Sequence, residues 1–234
     1  MVRHHTFKNG LRLIVRRMDG LLSVSMGILV GAGAAYETAR EDGISHYIEH
    51  MQFKGTETRN AREISDAFDN IGAQVNAFTG KDMTCYYSKA TASHAEEAFG
   101  LLSDLFLHSI FPEEEAVREK EVICEEIAMN EDTPEDLCLD ILAHAMYGEE
   151  GYGRNILGPA ANVRGFTKAA VDEYKSQLYR PENIVVSFAG DITFDKAKEL
   201  TEQYFGGMEG GKFRRRDKSV LSLRRTLFKN KKIE

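Results

Sequence analysis

Three cysteines in 234 residues, none of them in a Cys-x-x-Cys pair, exclude a disulfide framework and a thiolate-built metal cluster. Cys85, Cys124 and Cys138 are odd in number and unremarkably spaced, which fits reduced, mostly buried thiols. No apolar run approaches the roughly 20 residues needed to span a bilayer, so no transmembrane helix and no membrane partner is expected. The stretch from Met1 to Arg17 mixes charges with apolar residues and lacks the apolar core of a secretory signal. Together these absences predict a cytoplasmic protein. There is no internal repeat and no regular βαβ alternation, which argues against a parallel α/β fold.

What is present describes a soluble globular chain, with 42% hydrophobic and 29% charged residues. Its length suits one large domain or two small ones. The net charge of −7 is unevenly spread. Residues 211–234 hold ten Lys/Arg against two acids, whereas residues 1–210 hold 20 basic and 35 acidic side chains. An acidic body argues against nucleic acid as a partner. The basic tail reads as a linker or strand, or as a site for an anionic partner. The chain is expected to divide into a domain over residues 1–210 and a basic segment over residues 211–234.

The pattern along the chain predicts hairpins and clustered helices. "HTFKNGLRLIVRR" alternates around Asn9-Gly10, a hairpin signal because both residues tolerate positive φ. "LLSVSMGILVGAGA" reads as a more buried strand, whose terminal glycines imply close backbone packing. "GISHYIEHMQF" and "AREISDAFDNIG" have helical spacing. "AQVNAFTG" and "MTCYYSKAT" read as two strands joined by Gly80-Lys81-Asp82. Helices are predicted from Ser93 to His108, from Pro112 to Asn130 and from Pro134 to Tyr147. "GYGRNILGPAANVRGF" reads as a loop, followed by a helix in "TKAAVDEYKSQLY", a strand in "ENIVVSFAGD" and a helix in "TFDKAKELTEQYF". The expected class is α+β, with helices on a largely antiparallel sheet.

Within the first helix, His46 and His50 lie four positions apart and therefore on one face. Two imidazoles suit a borderline-soft cation such as Zn²⁺, with a third protein ligand and an open position completing a catalytic site. Glu49, beside His50, can reach a water polarised by such an ion without ligating it, as a general base must. The five-residue pattern alone is equally compatible with two ordinary helical histidines. A third ligand decides between these readings, and the helix from Pro112 carries seven glutamates in which to find it. At about 100° per residue, with Ala116 at zero, Val122, Ile123 and Ile127 fall near 240°, 340° and 20° and define an apolar stripe. Glu119 and Glu126, near 300° and 280°, fall inside it, while Glu121 and Glu125 fall opposite. Carboxylates on a buried face are costly unless paired, and an ion with histidine ligands is a suitable partner. This reading makes Glu126 the third ligand and Glu119 a supporting or proton-handling carboxylate.

The motif His46-Tyr-Ile-Glu49-His50 is the H-x-x-E-H signature of inverzincins. Its surroundings resemble the pitrilysin/insulinase family of zinc peptidases, in the bacterial branch related to mitochondrial processing peptidase. "FKNGLRLIV" is similar to that family's opening hairpin, "GISHYIEHMQFKGT" to its zinc helix, "NAFTGKDMTCYY" to its substrate-side strands and "EKEVICEEIAMNEDTPED" to the helix with the third ligand. The resemblance runs from about residue 6 to residue 205. It implies one zinc ion held by His46, His50 and Glu126, with Glu49 as base and Glu119 as the family's additional acid. It also implies that Asn76 and Ala77 hold substrate backbone along a strand edge, a mode that favours unfolded peptides. Gly33-Ala34-Ala35-Tyr36-Glu37 and Gln52 depart from the usual pattern without touching the ligand set. Family members have two homologous halves around a chamber, and this chain resembles the N-terminal one. The expected partners are thus a peptide substrate and a homologous C-terminal half or subunit, with a homodimer as another way to supply it. A non-catalytic peptide-binding or scaffolding subunit is the alternative from a different class. Nitrogen and oxygen ligation also accommodates Mn²⁺ or Co²⁺.

Overall fold

A computed structural model describes residues 1–215 and Leu221. Two strands, β1 (Val2–Thr6) and β2 (Arg12–Arg17), form the opening hairpin, with Gly10 at φ 91° in the turn. After β3 (Ser23–Val30) come helices α1 (Ile44–Gln52) and α2 (Ala61–Asn70). Strands β4 (Gln74–Thr79) and β5 (Thr84–Thr91) follow, then helices α3 (Ala95–His108), α4 (Glu113–Asp132) and α5 (Pro134–Tyr147). Helices α6 (Ala160–Gly165) and α7 (Lys168–Leu178), strand β6 (Ile184–Gly190) and helix α8 (Phe194–Phe205) complete the series.

The six strands form one sheet in the order β1-β2-β6-β3-β5-β4. Every neighbouring pair is antiparallel except β2 and β6, so the fold is α+β with a largely antiparallel sheet, as the sequence predicts. Period-two alternation sorts the strands into rows. Leu13, Val186, Ile28, Tyr86 and Ala77 lie in one register row on the face covered by α1, α3 and α8. Ile14, Ser187, Gly27, Tyr87 and Asn76 form the adjacent row on the other face. The core beneath the helices is aromatic: Phe99, Phe106, Phe188, Phe205, Tyr86 and Tyr174 are all buried. Each such ring contributes roughly 2 kcal/mol by leaving water.

β3 pairs on both sides and is buried at five of its eight residues, whereas β4 lies at the margin with one partner. The close packing expected at the end of β3 is observed at Gly33. A Cβ there would lie 2.4 Å from the Gly80 carbonyl oxygen, because this segment bonds to the β4–β5 turn through Ala35 N–H and Lys81 O at 2.9 Å. The predicted loop at residues 151–166 differs in one respect: it contains α6, a single short turn and a half started by Pro159. Of the basic segment at 211–234, residues 211–215 lie against the body. Gly211 N–H donates to Glu182, and Arg214 pairs with Glu41 at 2.9 Å. The remainder of that segment, apart from Leu221, lies outside the described residues. Among the described residues no helix is long and apolar enough to cross a membrane.

Candidate metal centre and its cleft

α1 forms because Ile44, Tyr47, Ile48 and Met51 recur at helical spacing and are all buried. Its start is fixed from outside the helix. Gly43 takes φ 94°, a conformation in which a side chain would be strained. The buried Glu37 carboxylate accepts from Gly43 N–H at 2.7 Å and Ser45 N–H at 2.8 Å, capping two otherwise orphaned donors. Burial pushes the pKa of Glu37 up to about 7 against the opposing effect of these two hydrogen bonds. The cap orients the helix whose next residue is His46.

α4 crosses α1, and its inward face is set by Ala116, Glu119, Ile123 and Ile127. Val122, which the helical wheel assigns to the apolar stripe, is 46% exposed. Its position near 240° lies outside the true stripe, which is centred near zero and also takes in Cys124. Glu119 is buried well within that stripe. Glu126 sits at its border, with its side chain 45% exposed.

The two helices bring three of the sequence-identified residues to one point. His46 Nε2 and His50 Nε2 face each other at 3.2 Å, and Glu126 Oε2 lies 3.6 Å from each. One ligand atom from each of the three falls within 4.8 Å of the others. Among the described residues, this is the one group of three or more His, Cys, Asp or Glu side chains so arranged. Two imidazole nitrogens and a carboxylate oxygen converging in this way fit a divalent cation such as zinc, with no fourth ligand to close the site among the described residues.

The remaining groups surround this point. Glu119 Oε2 lies 3.1 Å from His50 Nδ1, and Glu119 Oε1 lies 2.6 Å from Lys54 Nζ. The buried Nδ1 of His46 has no hydrogen-bond partner among the described residues. Burial, then the neighbouring His50, lowers the pKa of His46 to about 4, while Glu126 opposes this. For His50, burial acts downward, but the nearby carboxylates of Glu126 and Glu119 prevail and raise the pKa. The neighbouring His50, and then His46, hold Glu126 below the usual carboxylate range against the effect of burial. Glu49 points beside the ligand set and accepts from Thr79 Oγ1. Burial raises its pKa despite that bond.

A cleft of about 670 Å³ opens here, lined by His46, Glu49, Glu126 and by Ala77, Phe78 and Thr79 of β4. Ala77 faces the helix-covered side and Asn76 the opposite side. Asn76 Oδ1 accepts from Ala77 N–H at 2.8 Å, so that donor is held by its neighbour's side chain. Lys81, in the turn after β4, lines the same cleft and donates to the Arg154 carbonyl. Sequence reasoning missed Lys54, Thr79 and Glu37 as partners of the site. Lys54 alone left a signal, four residues after His50.

Comparison with known proteins gives the chain's family and fold. Residues 16–160 match the family described as Insulinase (Peptidase family M16), and residues 165–233 match the one described as Peptidase M16 inactive domain. An uncharacterized zinc protease of Bacillus subtilis (strain 168), YmxG, is 43% identical over 209 residues, covering 89% of this chain and 51% of that protein. The crystal structure of a protease from Helicobacter pylori superposes with a TM-score of 0.86 at 22% identity, covering 94% of this chain and 54% of that one. A putative M16-like peptidase from Alicyclobacillus acidocaldarius superposes with a TM-score of 0.80 at 26% identity, over 91% and 51%. This chain thus spans about half the length of the relatives it matches, and it belongs to the insulinase family, peptidase family M16.

Proposed function

We propose that this chain is the metal-bearing half of a zinc endopeptidase that cleaves peptides or unfolded segments. The observation that carries the proposal is the convergence of His46, His50 and Glu126 beside Glu49, in a cleft walled by an edge strand. His46, His50 and Glu126 would hold the ion. Zinc supplies Lewis acidity there, polarising a water and the scissile carbonyl. Glu49 takes the water's proton as general base. Its burial favours that role by raising its proton affinity, and Thr79 keeps the carboxylate beside the ligand set. Glu119 holds His50 in place. An extended peptide adds alongside β4, where Ala77 N–H exchanges the Asn76 amide for a substrate carbonyl. Such pairing engages main chain whatever the side chains, and so selects unfolded substrates.

The relatives' additional length supports a second, homologous half as the other wall of the cleft. Among the described residues no donor set is aimed at a developing oxyanion, and one such donor is worth about 10²–10³ in rate. The expected outcome is one zinc per chain, slow cleavage alone and at least tenfold faster cleavage when a C-terminal half is supplied. Glu49→Gln retains zinc and loses cleavage by about 10²–10⁴, and Glu126→Gln loses zinc. Zinc content equal in wild type and Glu126→Gln would refute the ligand assignment. Strong, chelator-sensitive cleavage by this chain alone would refute the need for a second half. Zinc binding without cleavage in either setting would favour a peptide-binding subunit.

A further inference from the structure

Lys54 lies outside the ligand set and outside the cleft, yet it makes the shortest ion pair in the neighbourhood, 2.6 Å from Nζ to Glu119 Oε1. It follows α1 immediately: its N–H donates to Met51 O at 3.1 Å, continuing the helical turn and keeping Lys54 on the same side as His50. The Glu119 carboxylate is therefore gripped at both ends from α1, with His50 Nδ1 on one oxygen and Lys54 on the other. A buried carboxylate tied at one oxygen can still rotate about its last bond; tied at both, it cannot. The two imidazoles differ in how they are held. His46 has its side chain 8% exposed and is fixed by packing, with its Nδ1 unpartnered. His50 is 22% exposed, and the one hydrogen bond at its far nitrogen is the bond to Glu119.

We propose that Lys54 is a positioning residue for the metal centre: it pins Glu119 so that His50 keeps its proton on Nδ1 and turns the Nε2 lone pair toward His46 and Glu126. The inference rests on the zinc-site reading above. The ammonium acts through two intermediaries, and its effect is on the geometry and tautomer of one ligand. Removing the ammonium alone leaves the buried Glu119 carboxylate without its counter-charge, so some metal-free stability is lost as well. The consequences that a merely structural pair would not have are in metal affinity and in the His50 tautomer. Outer partners of ligating histidines typically change metal affinity by about 10–100-fold.

The test uses the 234-residue chain as wild type, Lys54→Met, Lys54→Arg and Glu119→Gln, together with the Lys54→Met/Glu119→Gln double variant. Zinc dissociation constants come from chelator competition, metal-free stability from thermal melts, and the His50 tautomer from ¹⁵N-imidazole NMR of metal-free protein. Lys54→Met should lower the metal-free melt, weaken zinc binding about 10–100-fold when measured on the folded protein, and mix the His50 tautomers. Lys54→Arg should restore both readouts to near wild type. In the Glu119→Gln background, Lys54→Met should cost nothing further. Unchanged affinity and tautomer in Lys54→Met would overturn the proposal, as would an equal loss in the Glu119→Gln background. Should Lys54→Met fail to fold, Lys54→Gln is read by the same criteria. If wild type itself binds no zinc, the metal reading fails, and the metal-free tautomer still decides for or against Lys54.

Discussion

Lys175 carries its ammonium into an enclosed setting: 3.3 Å from Gln52 Oε1 and 5.1 and 5.3 Å from the ring centres of Phe111 and Tyr179. This accounts for Gln52, which stands where the family pattern is usually apolar. Gln52 is fully buried, donating to the Phe106 carbonyl at 3.1 Å and accepting from Lys175. Burial lowers the pKa of Lys175 from 10.5 to about 8. Between those values the unfolded chain binds the proton that the native chain has released, so stability rises with pH across that window. Lys175→Met removes the effect. The difference in stability between variant and wild type should shift in favour of wild type by roughly 2–3 kcal/mol between pH 8 and pH 10.5, read from denaturant titrations. A flat difference would refute the assignment. Legibility of the site varied residue by residue. His46, Glu49 and His50 are readable because their geometry is local to one helix. Angle separates Glu119 and Glu126 from Glu114, Glu121 and Glu125 but not from Glu115, which falls near 260°, about 20° from Glu126, and the same wheel misassigned Val122. Glu37 and Thr79 were not readable as partners, because Glu37 reaches back over an aperiodic loop of six to eight residues and Thr79 meets Glu49 through a fold-level contact.

Helix α2 carries a full capping box, with Asn60 Oδ1 accepting from Glu63 N–H at 2.9 Å and the Glu63 carboxylate accepting from Asn60 N–H at 2.8 Å. Asn60→Ala should cost about 1 kcal/mol, seen as a fall in Tm of about 2–4 °C, with zinc binding unchanged. A larger loss would mean that α2 supports the centre. Strand β4 is exposed along one edge, and Ala77 N–H bonds to a side chain in place of a neighbouring strand. Proline is tolerated at such an edge when the lost donor faces outward. Ala77→Pro should therefore keep the fold and zinc while reducing peptide cleavage at least tenfold, measured on the chain supplied with a second half. Retained cleavage would remove β4 as the substrate strand. Most elements were readable from periodicity. The exception, α6, has six residues and hence too few turns to show a period. α5 illustrates the opposite limit: its helix is correctly bounded by Pro134 and Tyr147, yet none of its residues is buried, and Leu139 and Leu142 are 65% and 54% exposed. Periodicity gives a helix without saying what covers it.

The molecule spans about half of its relatives' length, and its candidate centre is open on the cleft side. α+β class and an antiparallel sheet were readable from hairpins and clustered helices. The strand order was not, because β6 inserts between β2 and β3 from far along the chain and makes the single parallel pair. The three converging ligand atoms also link α1 to α4 across the long stretch between His50 and Glu126. An ion held there is a covalent-like staple closing a large loop, and such closure restricts the unfolded chain more than a local contact does. Hydrogen exchange should register this. On zinc addition, the amides of α4 near Glu126 should slow markedly, since opening α4 would then require releasing the ion. The amides of α8, on the far side of the sheet order, should keep their rates. Metal supply would then set how long this domain survives proteolysis.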